Sequence, residues 1–173
     1  SADEYDFDRD KQRLTASGNV TIQYGRLRLS AESVRVDTDT GTFHATGGVQ
    51  FSAEEADFFW HADEASGNLK TGRVEFGSSR GRLRNWYYRA EEAVRESDGT
   101  VRLATVTAST CEHVGEYGSA GHYSLRAARL EVKPDGRYHA RHPRFHFGPL
   151  PFFWLPAVSG DTERAQGWHL NLG

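Results

Sequence analysis

Residues 5–20 (YDFDRDKQRLTASGNV) overlay residues 34–49 (VRVDTDTGTFHATGGV) without a gap. Ala16, Gly18 and Val20 fall on Ala45, Gly47 and Val49, an offset of 29 (47 − 18). A fixed internal period means that one supersecondary unit is stacked on itself. A stack builds an extended surface rather than a single pocket, which favours carrying a ligand over catalysis.

The unit is made of strands. Apolar and polar residues alternate with period two at Val20, Ile22 and Tyr24, at Leu27 and Leu29, at Val34 and Val36, and at Val49 and Phe51. The same pattern recurs at Val74 and Phe76, Val101 and Leu103, Leu130 and Val132, and Phe145 and Phe147, as expected of half-buried strands. Turns are expected at Asp39-Thr40-Gly41, Ala65-Ser66-Gly67, Ser97-Asp98-Gly99 and Pro134-Asp135-Gly136. A second repeated element sets an alanine between apolar and polar pairs, at Ala31, Ala62, Ala90 and Ala127. A small residue at that spacing fits a strand pair that turns a corner where a larger side chain would crowd the next rung. Residues 88–95 (YRAEEAVR) have helical propensity, but the other copies contain Ser, Val and Trp, which favours strand. Stacked pairs of this kind predict an all-β fold, two facing, mostly antiparallel sheets in a jelly-roll or solenoid-like sandwich.

Composition narrows the function. At 173 residues, 37% hydrophobic and 26% charged, the chain is one domain's worth of globular sequence. Its net charge of −3 lacks the basic excess of a nucleic-acid or anionic-membrane binder. The longest apolar run, LPFFWLPAV at residues 150–158, is broken by prolines and too short for a membrane helix. The first residues, SADEYDFDRDKQ, hold no charged-then-apolar leader, so a signal peptide is expected to be absent or removed. The single cysteine, Cys111, is either an idle thiol or paired outside this sequence.

Two groups of residues resemble a known family. Ala16-Ser17-Gly18-Asn19-Val20 with Leu29-Ser30-Ala31-Glu32, repeated at Ala45-Thr46-Gly47-Gly48-Val49, resembles the repeat of the OstA-like lipopolysaccharide-transport superfamily. Val106-Thr107-Ala108-Ser109-Thr110-Cys111, then Tyr123-Ser124-Leu125-Arg126-Ala127, then Leu150-Pro151-Phe152-Phe153-Trp154-Leu155-Pro156, is similar to the region that joins a periplasmic domain to a barrel in outer-membrane LPS-assembly proteins. The resemblance covers nearly the whole chain. Tyr123, where the family often has Trp, and the long, glycine-containing segment 112–122 mark a distant branch.

The resemblance implies an OstA-like β-jelly-roll with an open apolar groove over residues 1–158, then a connection and the start of a truncated outer-membrane β-barrel over 159–173. It implies lipopolysaccharide transport and assembly at the periplasmic face of the outer membrane, without catalysis or cofactor. Each methylene exposed to water costs about 0.8 kcal/mol, so carrying acyl chains across an aqueous space calls for a continuous apolar path. The groove residues it implies are Val20, Ile22, Leu27, Leu29, Val34, Val36, Phe43, Val49, Phe51, Val74, Phe76, Phe145 and Phe147, which alternation alone reads equally as core. Arg80, Arg82 and Arg84, with Arg89, suit phosphate contacts at the groove rim or a solvated strand face. The implied partners are lipopolysaccharide, a like-folded periplasmic bridge protein docking by β-augmentation between Tyr5 and Arg13, the barrel of the same chain and its plug lipoprotein, and no nucleic acid. Cys111 is implied to bond to cysteines of the barrel region.

Rival chemistry finds little support. The eight histidines match no familiar zinc spacing, and His142, Arg144 and His146 read as a solvent-facing row opposite Phe145 and Phe147. Ser78 and Ser79 fall in a Gly/Arg-rich stretch that reads as a loop, and no G-x-S-x-G elbow occurs. Asp63-Glu64 and Glu91-Glu92, adjacent on strands, are expected on opposite faces as solvated charges. No metal and no enzymatic activity are expected. The alternative function is a carbohydrate-binding or structural β-solenoid module with exposed Trp60, Trp86 and Tyr88 against sugar rings.

Overall fold

The computed structural model describes residues 1–25, 27–53, 58–110 and 123–162, without the side chains of Tyr24, Ala53 and Phe58. Five strands come first: β1 (Glu4–Asp8), β2 (Arg13–Tyr24), β3 (Leu27–Asp37), β4 (Thr42–Ala53) and β5 (Phe58–Asn68). Four short ones follow: β6 (Arg73–Phe76), β7 (Ser79–Leu83), β8 (Trp86–Ala90) and β9 (Glu92–Arg95). Next come the longer β10 (Val101–Ser109) and β11 (Tyr123–Val132), then β12 (Arg137–Arg141), β13 (Arg144–Phe147), β14 (Leu150–Trp154) and β15 (Ala157–Asp161). All pairings are antiparallel, and consecutive strands are neighbours along most of the order.

One hydrogen-bonded sheet is folded into two facing layers because every long strand bends in its middle. The register shifts between Ser17 and Val20, between Ser30 and Ser33, and between Thr46 and Val49, so each strand enters one layer and leaves in the other. The first layer holds β1, residues 13–17, 33–37, 42–46 and 64–68, β6, β9, residues 101–104 and 129–132, β12 and β15. The second holds residues 20–24, 27–31, 49–53 and 58–62, β7, β8, residues 106–109 and 123–127, β13 and β14.

The corners explain the repeat. In β2 and β4 the bend is made by Gly18-Asn19 (φ 72° and 48°) and Gly47-Gly48 (φ 82° and 57°), the positive values of a glycine-bearing bulge. At Gly47 an added Cβ would stand 2.5 Å from the Glu32 Cβ, so the bend needs its missing side chain as well. The returning strands turn beside Ala31, Ala62, Ala90 and Ala127, all buried, as the spacing predicts. The offset of 29 is therefore one outgoing and one returning strand, a full rung of both layers.

Several local expectations are corrected. Residues 65–67 lie inside β5 rather than in a turn, because Ala65 and Gly67 pair with Phe76 and Val74; the chain reverses at 69–72 instead. The supposed Ser/Arg loop is the strand β7, clamped between β5 and β8, with Ser79 buried. Asp63 and Glu64 are both exposed, as are Glu91 and Glu92, because the corner interrupts strict alternation. In the row of His142, Arg144 and His146, the last is buried, while its neighbours are exposed. Residues 88–95 are strand on both sides of the Ala90 corner, in β8 and β9.

Candidate functional site

Between the layers lies a continuous apolar interior. Val20, Leu29, Val34, Val36, Phe43, Val49, Phe51, Val74 and Phe76 are buried there, and Ile22, Leu27 and Phe145 are half-buried against the same core. All thirteen of the alternating positions named from the sequence thus sit on the inner face, except that Phe147 stands 69% exposed at its end. Sequence reasoning missed the centre. Trp60, 0% exposed, meets Phe76 of the opposite layer edge-on at 4.4 Å between ring centroids, with Phe51 at 6.3 Å and Tyr88 at 6.2 Å. Gly81 makes room for it, since a Cβ there would come within 2.8 Å of the Trp60 ring and 2.1 Å of the Phe59 carbonyl oxygen. The expectation of exposed, sugar-stacking Trp60, Trp86 and Tyr88 is therefore overturned. Trp60 and Tyr88 are inside, and Trp86 is half-buried, 6.5 Å from the Tyr138 ring.

These rings form a septum. On its amino-terminal side an apolar cavity of about 10 Å³ lies among Ile22, Leu27, Leu29, Phe43, Leu69 and Val74. On the other side one of about 20 Å³ lies among Leu83, Trp86, Leu103, Leu125, Leu130 and Tyr138. Each has the scale of a single water, so side chains fill the middle of the interior. The Tyr88 hydroxyl and the Trp86 Nε1 border the larger cavity and are sealed from water with no hydrogen-bond partner among the described residues. Burial pushes the Tyr88 phenol well above its usual range.

The interior opens at the two outer edges. Tyr5 and Phe7 of β1 pair with Ala16 and Leu14, inner-face positions of β2, yet are 76% and 43% exposed. At the far edge Tyr123, Phe147, Leu150 and Phe153 continue the inner face of Leu125 and are 41%, 69%, 70% and 37% exposed. Phe153 stacks on Phe145 at 4.5 Å. Among the described residues β1 has only β2 as a strand neighbour, β14 only β13, and β15 only β12.

The remaining sequence candidates scatter. Arg80 and Arg82 lie on the outer face of β7, exposed. Arg84 sits in the turn after β7, and its guanidinium donates to the Pro134 carbonyl at 2.8 Å, away from any rim shared with Arg80. Cys111, with His113 and His122, and residues 163–173 of the segment 159–173 expected to connect to a barrel lie outside the described residues. Backbone pairing of the sandwich runs on to Thr162, whose amide donates to Gly136 O at 2.9 Å. Among the described residues no group of three or more His, Cys, Asp or Glu side chains could hold a metal.

A two-layer sandwich of stacked strand pairs, with an apolar face running from one open edge to the other, is an OstA-like β-jelly-roll. Residues 1–133 match the family described as LptA/(LptD N-terminal domain) LPS transport protein, and the chain belongs to that family. Among its relatives are the LPS-assembly protein LptD of Xylella fastidiosa (strain Temecula1), 31% identical over 157 residues, and that of Vibrio cholerae, 24% identical over 161 residues. These alignments take in 87% and 88% of this chain but 19% of each relative, so the chain spans about a fifth of their length. The crystal structure of LptH, the LptA-homologous periplasmic component of the lipopolysaccharide transport device of Pseudomonas aeruginosa, superposes with a TM-score of 0.55 at 14% identity. It covers 60% of this chain and 79% of that one, a likeness of fold.

Proposed function

We propose that this chain is a non-catalytic lipopolysaccharide conduit at the periplasmic face of the outer membrane, taking lipid from a like-folded bridge protein and passing it to a β-barrel. The observation that carries the reading is an inner apolar face that stays exposed at both edges, at Tyr5 and Phe7 and again at Phe147, Leu150 and Phe153. A core that only held the fold together would have no reason to spill large apolar side chains at opposite ends. Family membership supplies the lipid class.

The β1 edge, between Tyr5 and Arg13, receives the upstream module by strand addition, its aspartates and Lys11 restricting which strand can pair. The Phe147 edge faces the barrel that the same chain and its plug lipoprotein complete, and Cys111 bonds to that region. Acyl chains travel between the layers, which must part at Trp60 because the cavities on either side are water-sized. Arg80 and Arg82 stand outside that path.

A photo-crosslinking residue at Ile22 or Val36 tests this. Adducts with lipopolysaccharide during transport are expected at both, and a crosslinker on the outer face at Gln23 serves as control. Absence of adducts at the inner positions while transport proceeds would remove the conduit.

A further inference from the structure

The two layers differ in charge in a way that the net charge of −3 conceals. In the first layer acids and arginines interleave. The ion pairs Arg73–Glu75, Arg73–Glu96, Arg102–Glu96 and Arg102–Glu131 tie its strands and turns together. The strand segments of the second layer, residues 20–24, 27–31, 49–53, 58–62, 79–83, 86–90, 106–109, 123–127, 144–147 and 150–154, contain no Asp or Glu at all. They contain six arginines, and four of them share one row across the outer face.

The strand register makes the row explicit. Arg80 pairs with Arg89, Arg89 with Thr107, Thr107 with Arg126, Arg126 with Arg144, and Arg144 with Trp154. The four arginines are exposed, and none forms an ion pair with a described carboxylate. Like charges set directly opposite on a sheet repel, so nothing among the described residues of the layer accounts for Arg80 facing Arg89 or Arg126 facing Arg144. Aromatic rings stand on the same face. Trp154 ends the row at 54% exposure, and Phe59, opposite Arg82, is 45% exposed. From β7 to β14 the row crosses five strand spacings, about 24 Å. That is too wide for one phosphate-bearing headgroup, which needs donors that converge, and it suits a plane of them.

We propose that the outer face of the second layer docks on an anionic phospholipid bilayer surface, its arginines on lipid phosphates and Trp154 and Phe59 at headgroup depth. Guanidinium groups match phosphate oxygens, and tryptophan favours the boundary between headgroups and acyl chains. The side chains concerned point away from the interior, so the inference stands independently of the conduit.

Co-sedimentation of this chain with phosphatidylcholine vesicles, with and without phosphatidylglycerol, tests the face. Binding to the anionic vesicles alone is expected, with release by high salt and a blue shift of tryptophan emission that Trp154→Ser removes. Arg126→Glu with Arg144→Glu should weaken binding at least about 25-fold, roughly fivefold for the loss of each arginine before the added negative charge is counted. Arg126→Lys with Arg144→Lys should retain most of it, and Arg35→Glu with Arg129→Glu, on the first layer, should leave it unchanged. Thermal melts of each variant separate lost binding from lost fold. No binding to anionic vesicles, equal binding to neutral ones, or equal loss on charge reversal in the first layer would each overturn the proposal. So would binding to lipopolysaccharide that inorganic phosphate competes away without any bilayer partition, since that outcome makes the row a headgroup site.

Discussion

Tyr88 places a phenol oxygen inside the sandwich with no hydrogen-bond partner among the described residues, a costly arrangement for a polar atom. Its neutral form is the one the interior tolerates, so its folded pKa lies above the ordinary value near 10. The stability tied to this group is therefore present below about pH 10 and is lost as pH rises further, because only the unfolded chain readily gives up the proton. The acid side runs the other way. Asp37 accepts hydrogen bonds from the Thr40 amide and hydroxyl, both at 2.8 Å, and Asp98 accepts one from the Thr100 amide at 2.8 Å. These bonds hold both carboxyls below their usual range, so their contribution is present above about pH 4 and falls away as pH drops through the lowered pKa values. Melting temperature against pH should show a plateau between the two limbs. Tyr88→Phe should soften the alkaline limb and raise stability at neutral pH by about 1 kcal/mol, and Asp37→Asn should soften the acid one. Limbs unmoved by these variants would contradict the assignment.

Among the elements, the bent strand decides everything else. A straight twelve-residue β2 or β4 would belong to one flat sheet; the positive-φ pair at each bend, Gly18-Asn19 or Gly47-Gly48, sends its two halves into facing layers. Gly47→Ala imposes a left-handed backbone on a residue with a side chain and drives its Cβ against Glu32, so a loss of about 2 kcal/mol or more is expected in urea unfolding. Gly48→Ala meets open space and should lose about 1 kcal/mol, from backbone strain alone. Equal costs would mean that the close approach at Gly47 relaxes freely. The returning bends need only a small residue, which is why Ala31, Ala62, Ala90 and Ala127 are visible in the sequence as a spaced series.

For the molecule as a whole, the question is how an interior packed shut at its centre serves as a path. Phe51, Trp60, Phe76 and Tyr88 form the constriction, and the apolar surface on either side reaches an open edge. Trp60→Ala removes the ring that touches the opposite layer and should cost about 3–5 kcal/mol. It should also leave an apolar cavity that binds a hydrophobic fluorophore the native protein excludes, read as an emission increase at matched folded fraction. A variant of native stability that takes up no dye would show that the layers collapse over the gap and that Trp60 is no barrier.

Sequence alone carried the repeat, the strand period, the alanine corners and the identity of the inner face, because each is a local pattern of side-chain size and polarity. It misread β7, since Ser79-Arg80-Gly81-Arg82 is polar enough to look like a loop, and only pairing with β5 and β8 makes it strand. Its alternative, sugar-binding reading also set Trp60 on the surface, because nothing local says that Gly81 and Phe76 will close around it. The arginine row was beyond its reach for the same reason. Arg80, Arg89, Arg126 and Arg144 are scattered along the chain, and cross-strand register alone sets them side by side. Periodicity fixes which face of a strand is apolar; which residues of distant strands become neighbours on that face is decided by how the strands bend and align.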